Sequence, residues 1–467
     1  MIDVPYWHRD VSRGSDIING EEMSFKIDKQ TLNDLAVFGT GRNQSVYEIF
    51  NRMHTRGGAR QLEEMFQFPL SEVEAIANRS EIIAYYMNSR VAFPFRGAIF
   101  DAMEFYLNNT DRRTQLMVQD NTLGRKVKNM MGSDTDYTWI HNGIMGCLEM
   151  LNVLDDFLSS GAEATDPNVK KSNEELKALL ANENWNWFRQ EKGKKKVTYE
   201  QAVTYDRVFR FEERDKLFKM MYNIYLMDVY ITVGQVAVER GFVFAKVLPA
   251  EENVLRMRGI FHPFLKKPVG NSIDVDKDSN LIFLTGANMA GKSTFMKSFT
   301  IALFLAHVGF PVPAREMEFS VRNGMFTTIN LPDNLSMGYS HFYAEVLRVK
   351  KVAQQLCQTK NLVIVFDELF RGTNVKDAYD ATLAVAEAFA EIPDCLFMIS
   401  THIIEVGQAL KERCKNIRFV YLPTKMEGST PVYTYQLTEG ITNDRHGMII
   451  INNERIIEII NGEGGTR

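Results

Sequence analysis

The sequence predicts a multidomain chain, with an all-α first part followed by an α/β part built on a phosphate-binding loop. Three observations carry this. From Leu32 to about residue 247, apolar side chains recur at three- and four-residue spacing, the period of one helix face. From about residue 251, short apolar runs alternate with helical stretches, which implies a mostly parallel sheet with helices on both faces. Within that second part, residues 281–294 read Leu-Ile-Phe-Leu-Thr-Gly-Ala-Asn-Met-Ala-Gly-Lys-Ser-Thr, an apolar run closed by the spacing G-x-x-x-x-G-K-S. The expected division is an N-terminal segment 1–30, a helical part 31–250 and a phosphate-loop part 251–467.

Residues 1–30 are mixed in character and predict no element. Val46, Ile49, Phe50 and Met53 share one helix face, which Gly57 and Gly58 are expected to interrupt. A second helix is expected over about 59–66, closed by Pro69, and a third from Ser71, with Ser71 as cap and Glu74 at the reciprocal position. Val73, Ile76, Ile83 and Met87 continue its apolar stripe. Helices run on to about 160, with Gly143 and Gly146 as bends. Residues 162–173 are polar and contain Pro167, which predicts a loop. Trp185-Asn186-Trp187-Phe188 precedes Lys192-Gly193-Lys194-Lys195-Lys196. Such a stretch can stack bases beside a phosphate backbone, but a solvated lysine loop next to a small core is the better reading. One long helix is expected over 205–247, connecting the two parts, with Pro249 at the boundary.

The phosphate loop is the most informative stretch. A buried strand, Leu281 to Leu284, ends in a tight turn whose successive N–H groups point inward at phosphate oxygens. Gly286 and Gly291 permit the turn because they lack a Cβ. The nucleotide-binding set is therefore Gly286, Ala287, Asn288, Met289, Ala290, Gly291, Lys292, Ser293 and Thr294. Lys292 adds a point charge at the terminal phosphates, and the Ser293 hydroxyl can ligate Mg²⁺. A helix from Ser293 onward adds its N-terminal dipole. Leu362-Val363-Ile364-Val365-Phe366 is suited to a buried parallel strand and ends in Asp367-Glu368. Asp367 can hold Mg²⁺ directly or through water, and Glu368 can orient and deprotonate an attacking water. A further apolar strand, Cys395 to Ser400, ends at Thr401-His402. That places His402 at the same sheet edge, within reach of the terminal phosphate.

Composition narrows the class. The chain has 467 residues, of which 45% are hydrophobic and 24% charged, as in an ordinary globular protein. A net charge of −5 means that any nucleic-acid contact must come from local patches. Cys147, Cys357, Cys395 and Cys414 are scattered with no C-x-x-C pair, which argues against a disulfide framework and a zinc site and fits a reducing, cytoplasmic setting. The N-terminus shows no signal peptide, and the most apolar stretches are broken by charged and polar residues, so no membrane span is expected.

Taken together, Thr-Gly-Ala-Asn-Met-Ala-Gly-Lys-Ser-Thr (285–294), Phe-Asp-Glu-Leu-Phe-Arg-Gly-Thr-Asn (366–374) and Ser-Thr-His (400–402) resemble the ATPase domain of the MutS DNA mismatch-repair family. Asn288-Met289 inside the loop and Arg371-Gly372-Thr373 after the acidic pair separate this family from other phosphate-loop proteins. Gly259-Ile260-Phe261-His262-Pro263 and Glu439-Gly440 followed by His446-Gly447 extend the likeness. So do His54-Thr55-Arg56-Gly57-Gly58-Ala59-Arg60-Gln61-Leu62, Pro69-Leu70, Ile76, Arg79 and Asp228-Val229 in the first half. The resemblance implies a helical core and lever domain ahead of an ABC-type ATPase domain. It also implies ATP and Mg²⁺ as cofactors, a homodimer, and double-stranded or branched DNA and a repair protein as partners. Ser340, in Ser-His-Phe-Tyr-Ala-Glu (340–345), is similar to the family's signature Ser-Thr-Phe-Met-x-Glu at Ser, Phe and Glu, and departs from it at His341 and Tyr343. The implied role of Ser340 is to reach the γ-phosphate held by the partner subunit, joining Lys292, Glu368 and His402 in a composite catalytic site.

Family members that detect mismatches carry an N-terminal domain with a Phe-x-Glu wedge. About thirty residues precede the core here and hold no such triplet, so that domain is expected to be absent while an ATP-gated grip on DNA is kept. Nor is a domain expected after the last ATPase segment. Two other readings compete with a DNA-binding ATPase. One is an ATP-driven conformational module acting on a protein partner without DNA. The other is a small-molecule kinase, which the Asp367-Glu368 pair disfavours because it suits water attack.

Overall fold

The computed structural model describes residues 25–39, 44–118, 135–160, 164–329, 341–427, 430–442 and 459–460. It is a mixed fold in which a helical block is followed by a parallel sheet. The helices ahead of the sheet are α1 (Lys29–Asp34), α2 (Val46–Phe50), α3 (Arg56–Gln67), α4 (Val73–Ser89), α5 (Gly97–Asn108), α6 (Thr135–Ser160), α7 (Pro167–Leu180), α8 (Tyr199–Asp206) and α9 (Arg214–Arg240). After them come α10 (Lys292–Val308), α11 (His341–Gln358), α12 (Val375–Ala390) and α13 (Ile404–Arg413).

Seven strands form the main sheet. They are β1 (Lys26–Ile27), β5 (Leu281–Gly286), β7 (Gly324–Thr328), β8 (Leu362–Phe366), β9 (Leu396–Ser400), β10 (Ile417–Leu422) and β13 (Thr438–Glu439). Their spatial order is β1-β7-β8-β9-β5-β10-β13, parallel throughout except for the β10–β13 pair. A second sheet takes the order β2 (Lys246–Leu248), β6 (Glu316–Ser320), β3 (Leu255–Ile260), β4 (Asn271–Val275), and β11 (Thr424–Glu427) pairs with β12 (Thr430–Tyr433) as a hairpin.

The main sheet is buried on both faces, and the strand period of two decides which residue goes where. Ile282, Leu284, Val363, Val365, Leu396 and Met398 join the core that holds α10. Leu281, Phe283, Leu362, Ile364, Phe366, Phe397 and Ile399 join the opposite core, under α11, α12 and α13. The α10 core does not stop at residue 250. It continues through Val229, Val233 and Val236 of α9 into Ile76, Ile83, Leu62 and Phe66 of α3 and α4. A second apolar core, around Phe100, Tyr106, Leu151, Trp185 and Ile224, lies within the helical block.

Several sequence expectations meet a different outcome. Gly57 and Gly58 do not interrupt a helix; they form the first turn of α3, capped by Thr55. A Cβ on Gly57 would lie 2.2 Å from the Tyr225 ring, and one on Gly58 2.6 Å from the Asp228 carboxylate. Asp228 is fully buried and accepts from the His54 and Thr55 backbone N–H groups and from the Thr55 hydroxyl, so these glycines let α3 seat against α9. Gly143 and Gly146 likewise lie inside the unbroken α6, against Tyr106 and Met103 of α5. Pro167 does not mark a loop; it opens α7, with Asp166 accepting from the N–H groups of Asn168 and Val169. Proline suits this first position because its missing N–H would have had no partner there. Ser71 does not cap α4, whose N-cap is Glu72 without a side-chain bond.

The single helix expected over 205–247 is divided. A π-helical turn, Arg207–Glu212, separates α8 from α9, and Gly241 ends α9 in a left-handed conformation. The wider turn carries Arg210 into the interior, where its guanidinium meets Asp206 at 2.6 Å and the Asn109 and Thr114 carbonyls at 3.2 Å. Trp185 and Phe188 are buried, while Lys192 pairs with Asp156 and Lys194 with Glu191. That stretch is therefore a small core with surface ion pairs, as the simpler reading expects.

The C-terminus of α10 is fixed to the helical block. Its final carbonyls would lack intrahelical partners. Arg79 donates to Val308 O (2.7 Å), Ser80 to Gly309 O (3.2 Å) and Leu70 N–H to His307 O (2.7 Å). His307 is fully buried between Phe25 and Phe319, and its Nδ1 donates to Leu70 O at 2.8 Å. Burial pushes the imidazole down to about 3, against an opposing pull from the Leu70 carbonyl. In the unfolded chain the ring titrates near 6.5. Below that pH the unfolded state binds a proton that the native state refuses, so stability falls as pH drops from about 6.5 towards 3. The expected loss is up to roughly 5 kcal/mol at its full extent. Between pH 7 and 5 the unfolding midpoint of the wild-type protein should fall more steeply than that of His307→Phe, and equal slopes would refute the assignment.

Candidate functional site

The phosphate loop is held where β5 emerges from the centre of the sheet. Every residue of β5 is buried, between β9 on one side and β10 on the other. Gly286 has φ 145°, and a Cβ there would meet Leu422 O at 3.2 Å. Gly291 has φ 98° and opens α10. Both positions therefore need glycine. Lys292 is only 5% exposed. Its Nζ turns back into the loop and donates to Gly286 O (3.0 Å) and Ala287 O (3.2 Å). Burial lowers its pKa, and the nearby Asp367 and Glu368 carboxylates oppose that shift.

Parallel pairing of β8 with β9, in the register Phe366↔Ile399, brings Asp367-Glu368 beside Ser400-Thr401-His402. Pairing of β9 with β5 sets both beside the loop. The Ser293 hydroxyl donates to Asp367 Oδ2 at 2.5 Å, and the Ser400 hydroxyl donates to the other oxygen, Oδ1. Ser400 Oγ in turn accepts from Glu368 N–H at 3.2 Å. His402 Nε2 lies 2.7 Å from Glu368 Oε1, and Arg371 donates to Oε2 at 3.3 Å. The His402 contact, with smaller help from Arg371 and Lys292, holds the Glu368 carboxyl down at about 2 despite partial burial. Lys292, Ser293, Asp367, Glu368 and His402 therefore meet at one sheet edge.

Backbone strain is concentrated here. Of eight non-glycine residues with positive φ among those described, Met289 (67°), Glu368 (52°), Phe370 (61°) and Tyr435 (55°) line this edge. Each such residue costs on the order of 1–3 kcal/mol and persists only where its surroundings fix it, as at functional sites.

Three residues at the site carry no role in the sequence reading. Ser400 bridges the two acids; its place in Ser-Thr-His was the available signal. Arg371 reaches Glu368 and lies 3.9 Å from Glu345 of α11, whose carboxylate also accepts from Gly372 N–H at 3.4 Å. Tyr435 follows the β11–β12 hairpin and lies against the loop, its ring 3.1 Å from where a Gly291 Cβ would stand. No local pattern signals it, because the hairpin alone delivers it. Asn271 of β4 fixes the segment by donating to Tyr435 O (3.0 Å) and accepting from Leu437 N–H (2.7 Å). Ser340 and the His446-Gly447 pair lie outside the described residues. Among the described residues, no three His, Cys, Asp or Glu side chains cluster to hold a metal by themselves, and no helix is long and apolar enough to cross a membrane.

Strand, glycine turn and helix, with flanking parallel strands that end in acids and a histidine, define an α/β phosphate-loop domain. Comparison with known proteins identifies which kind. Residues 282–460 match the family model described as MutS domain V, so this part of the chain is of the MutS type. The DNA mismatch repair protein MutS of Persephonella marina is 28% identical over 256 residues, covering 53% of this chain and 29% of that protein. Those of Anaplasma phagocytophilum (29% over 226 residues) and Thermus thermophilus (32% over 225 residues) each align with 48% of this chain. This chain covers only 27% and 26% of those two relatives. The alignments thus take in less than a third of each relative's length and about half of this chain.

Proposed function

We propose that this protein is a cytoplasmic, ATP-dependent DNA-binding protein of the MutS type, which hydrolyses ATP at a site completed by a second copy of the chain. Residues 31–250 would act as the helical core and lever, and 251–467 as the ATPase unit, to which β1 and α1 add an edge strand and a helix. The observation that carries this reading is the convergence of Ser293, Asp367, Ser400, Glu368 and His402 at the mouth of the phosphate loop.

The chemistry follows from the residues. Loop N–H groups and the Lys292 ammonium would receive the β- and γ-phosphates, for which the ammonium would give up its two carbonyl contacts. Ser293 and Asp367 would hold Mg²⁺, and the paired hydroxyl and carboxylate oxygens fit its preference for a few hard oxygen ligands plus substrate phosphate. Bound there, Mg²⁺ would neutralise charge that develops on the phosphoryl oxygens. Glu368 would orient the attacking water. A carboxylate held near pKa 2 stays ionised at neutral pH but is a weak base, so its part is alignment, with the proton accepted late. His402 and Arg371 would fix both of its oxygens. Tyr435 offers an exposed ring beside the loop on which the nucleotide base can stack.

The second copy is supported by the rim. Met289, Tyr343 and Val375 expose 76%, 47% and 75% of their surface on the loop, on α11 and at the first residue of α12. Covering such side chains favours closure, and a hydroxyl at the start of the partner's α11, Ser340, would then face the γ-phosphate. DNA is proposed from the likeness to MutS, and net charge confines it to a local patch. Phosphate release measured with and without homoduplex, mismatched and branched DNA tests the whole reading. At least one form should change the rate several-fold, with an affinity that falls as salt rises. Normal ATP turnover with no retention of any DNA form would instead favour a protein partner. A phosphorylated acceptor in place of free phosphate would favour a kinase.

A further inference from the structure

The first residues described, Phe25 to Asp34, are tied to the sheet far from them in sequence. Lys26 and Ile27 pair with Gly324 and Met325 of β7 as the sheet's edge strand. Asp28 then caps α1, accepting from Thr31 N–H and Oγ1, and Thr31 Oγ1 accepts from Thr327 N–H. Asp34, also buried, accepts from Thr327 Oγ1 and Ile329 N–H at 2.8 Å each. The stretch is thus locked along the outer edge of β7.

Asp28 has a second partner. Both of its oxygens meet the guanidinium of Arg348, on α11, with Nη2 to Oδ1 at 3.3 Å, and Lys351 one turn further on reaches Oδ2 at 3.0 Å. Arg348 is 7% exposed, and Asp28 keeps 14% of its side chain exposed. Burial raises the Asp28 carboxyl, but the bonds and charge of Arg348 outweigh it and hold the group well below the usual carboxylate range. The same guanidinium donates from Nε to Thr328 Oγ1 (3.1 Å) and from Nη2 to Thr327 O (2.6 Å), at the C-terminal end of β7. Thr328 O accepts from Asp367 N–H at 2.9 Å. One turn earlier on α11, the carboxylate of Glu345, 6% exposed, accepts from Gly372 N–H in the segment after Glu368. One face of α11 is therefore pinned on both sides of Asp367-Glu368, and the pin on the β7 side is completed by Asp28.

We propose that the Asp28–Arg348 pair is a positioning element that sets α11 against the Asp367-Glu368 edge, so that the N-terminal strap, and not the sheet alone, determines the turnover rate. The inference rests on the ATPase reading above. Neither residue reaches the phosphate loop, so the pair is expected to act on kcat and not on nucleotide affinity. Lysine could not replace Arg348, because one ammonium cannot span Asp28, Thr327 O and Thr328 Oγ1 in a planar fork.

Asp28→Asn and Arg348→Lys in the full chain test this, with Asp28→Glu as the rescue. Wild-type turnover is measured first; its absence would overturn the ATPase reading and this proposal together. With turnover present, both variants should lose about tenfold in kcat, with KM and the dissociation constant for a fluorescent ATP analogue within about twofold of wild type. Amide hydrogen exchange should rise about tenfold along α11 and stay unchanged in α10 and β8. Asp28→Glu should restore most of the rate. A lowered unfolding midpoint with wild-type kcat at temperatures well below it would overturn the proposal, leaving only a structural ion pair, and so would unchanged exchange in α11. Should Asp28→Asn fail to fold, Arg348→Lys decides by the same two readouts.

Discussion

Lys292→Ala is expected to weaken ATP binding by at least about a hundredfold while leaving the fold intact. The Lys292 ammonium is nearly buried, and its partners are two loop carbonyls, not a carboxylate. The Asp367 and Glu368 carboxylates lie near enough to favour its charge, but its hydrogen bonds go to the two carbonyls, so a phosphate would supply the direct anionic partner. A charge-assisted hydrogen bond contributes about 1.5–3 kcal/mol, and contact with two phosphates would approach twice that, so a loss of two to four orders of magnitude follows. Stability without nucleotide should change by no more than about 2 kcal/mol, since truncation removes a desolvated charge along with its hydrogen bonds. Titration with a fluorescent ATP analogue, paired with thermal unfolding, separates the two effects. Nucleotide affinity equal to wild type would remove the loop from the phosphate-binding role.

Glu368→Gln should act on the other half of the cycle. The amide keeps the size of the side chain and an oxygen that can still accept from Arg371 or His402, so the strained backbone at this position is retained. What the proposed mechanism would lose is the charge that would align and finally deprotonate water. Removing a group of this kind costs about 10²–10⁴ in rate. Nucleotide affinity should stay within a few-fold of wild type, and with hydrolysis blocked a dimer should accumulate in ATP. Phosphate-release kinetics and size-exclusion chromatography with scattering detection report both. Normal phosphate release would refute the role given to Glu368, and a monomer persisting in saturating ATP would refute closure across two copies.

The two predictions draw on parts of the chain that differ in how far local sequence reveals them. The strands at 281–286, 362–366 and 396–400 and the helix after Gly291 are legible because each is a local pattern: an unbroken apolar run, a glycine spacing, an acid or histidine at the end. Where tertiary contact overrides local preference, the pattern misleads. Gly57, Gly58, Gly143 and Gly146 look like breaks but are places where one helix leans on another, against Tyr225, Asp228, Tyr106 and Met103. Pro167 looks like a loop but opens a helix, because its meaning depends on whether helical residues precede or follow it. The division of residues 205–247 comes at a π-helical turn that carries Arg210 to a buried partner, Asp206, and no periodicity reveals it.

Residue type and short spacing are enough to reveal a strand, a glycine turn and a helix, followed by an acidic pair and a histidine in an order that resembles the MutS ATPase domain, because that pattern is written in neighbouring residues. Which groups stand together at the site is settled by the fold. Parallel strand pairing sets Ser400 between Asp367 and Glu368, a distant hairpin lays Tyr435 on Gly291, and the first strand brings Asp28 to Arg348 across 320 residues. The physical reason is that a side chain's partners across a sheet are fixed by register and burial. Neither can be found in any single window of the chain.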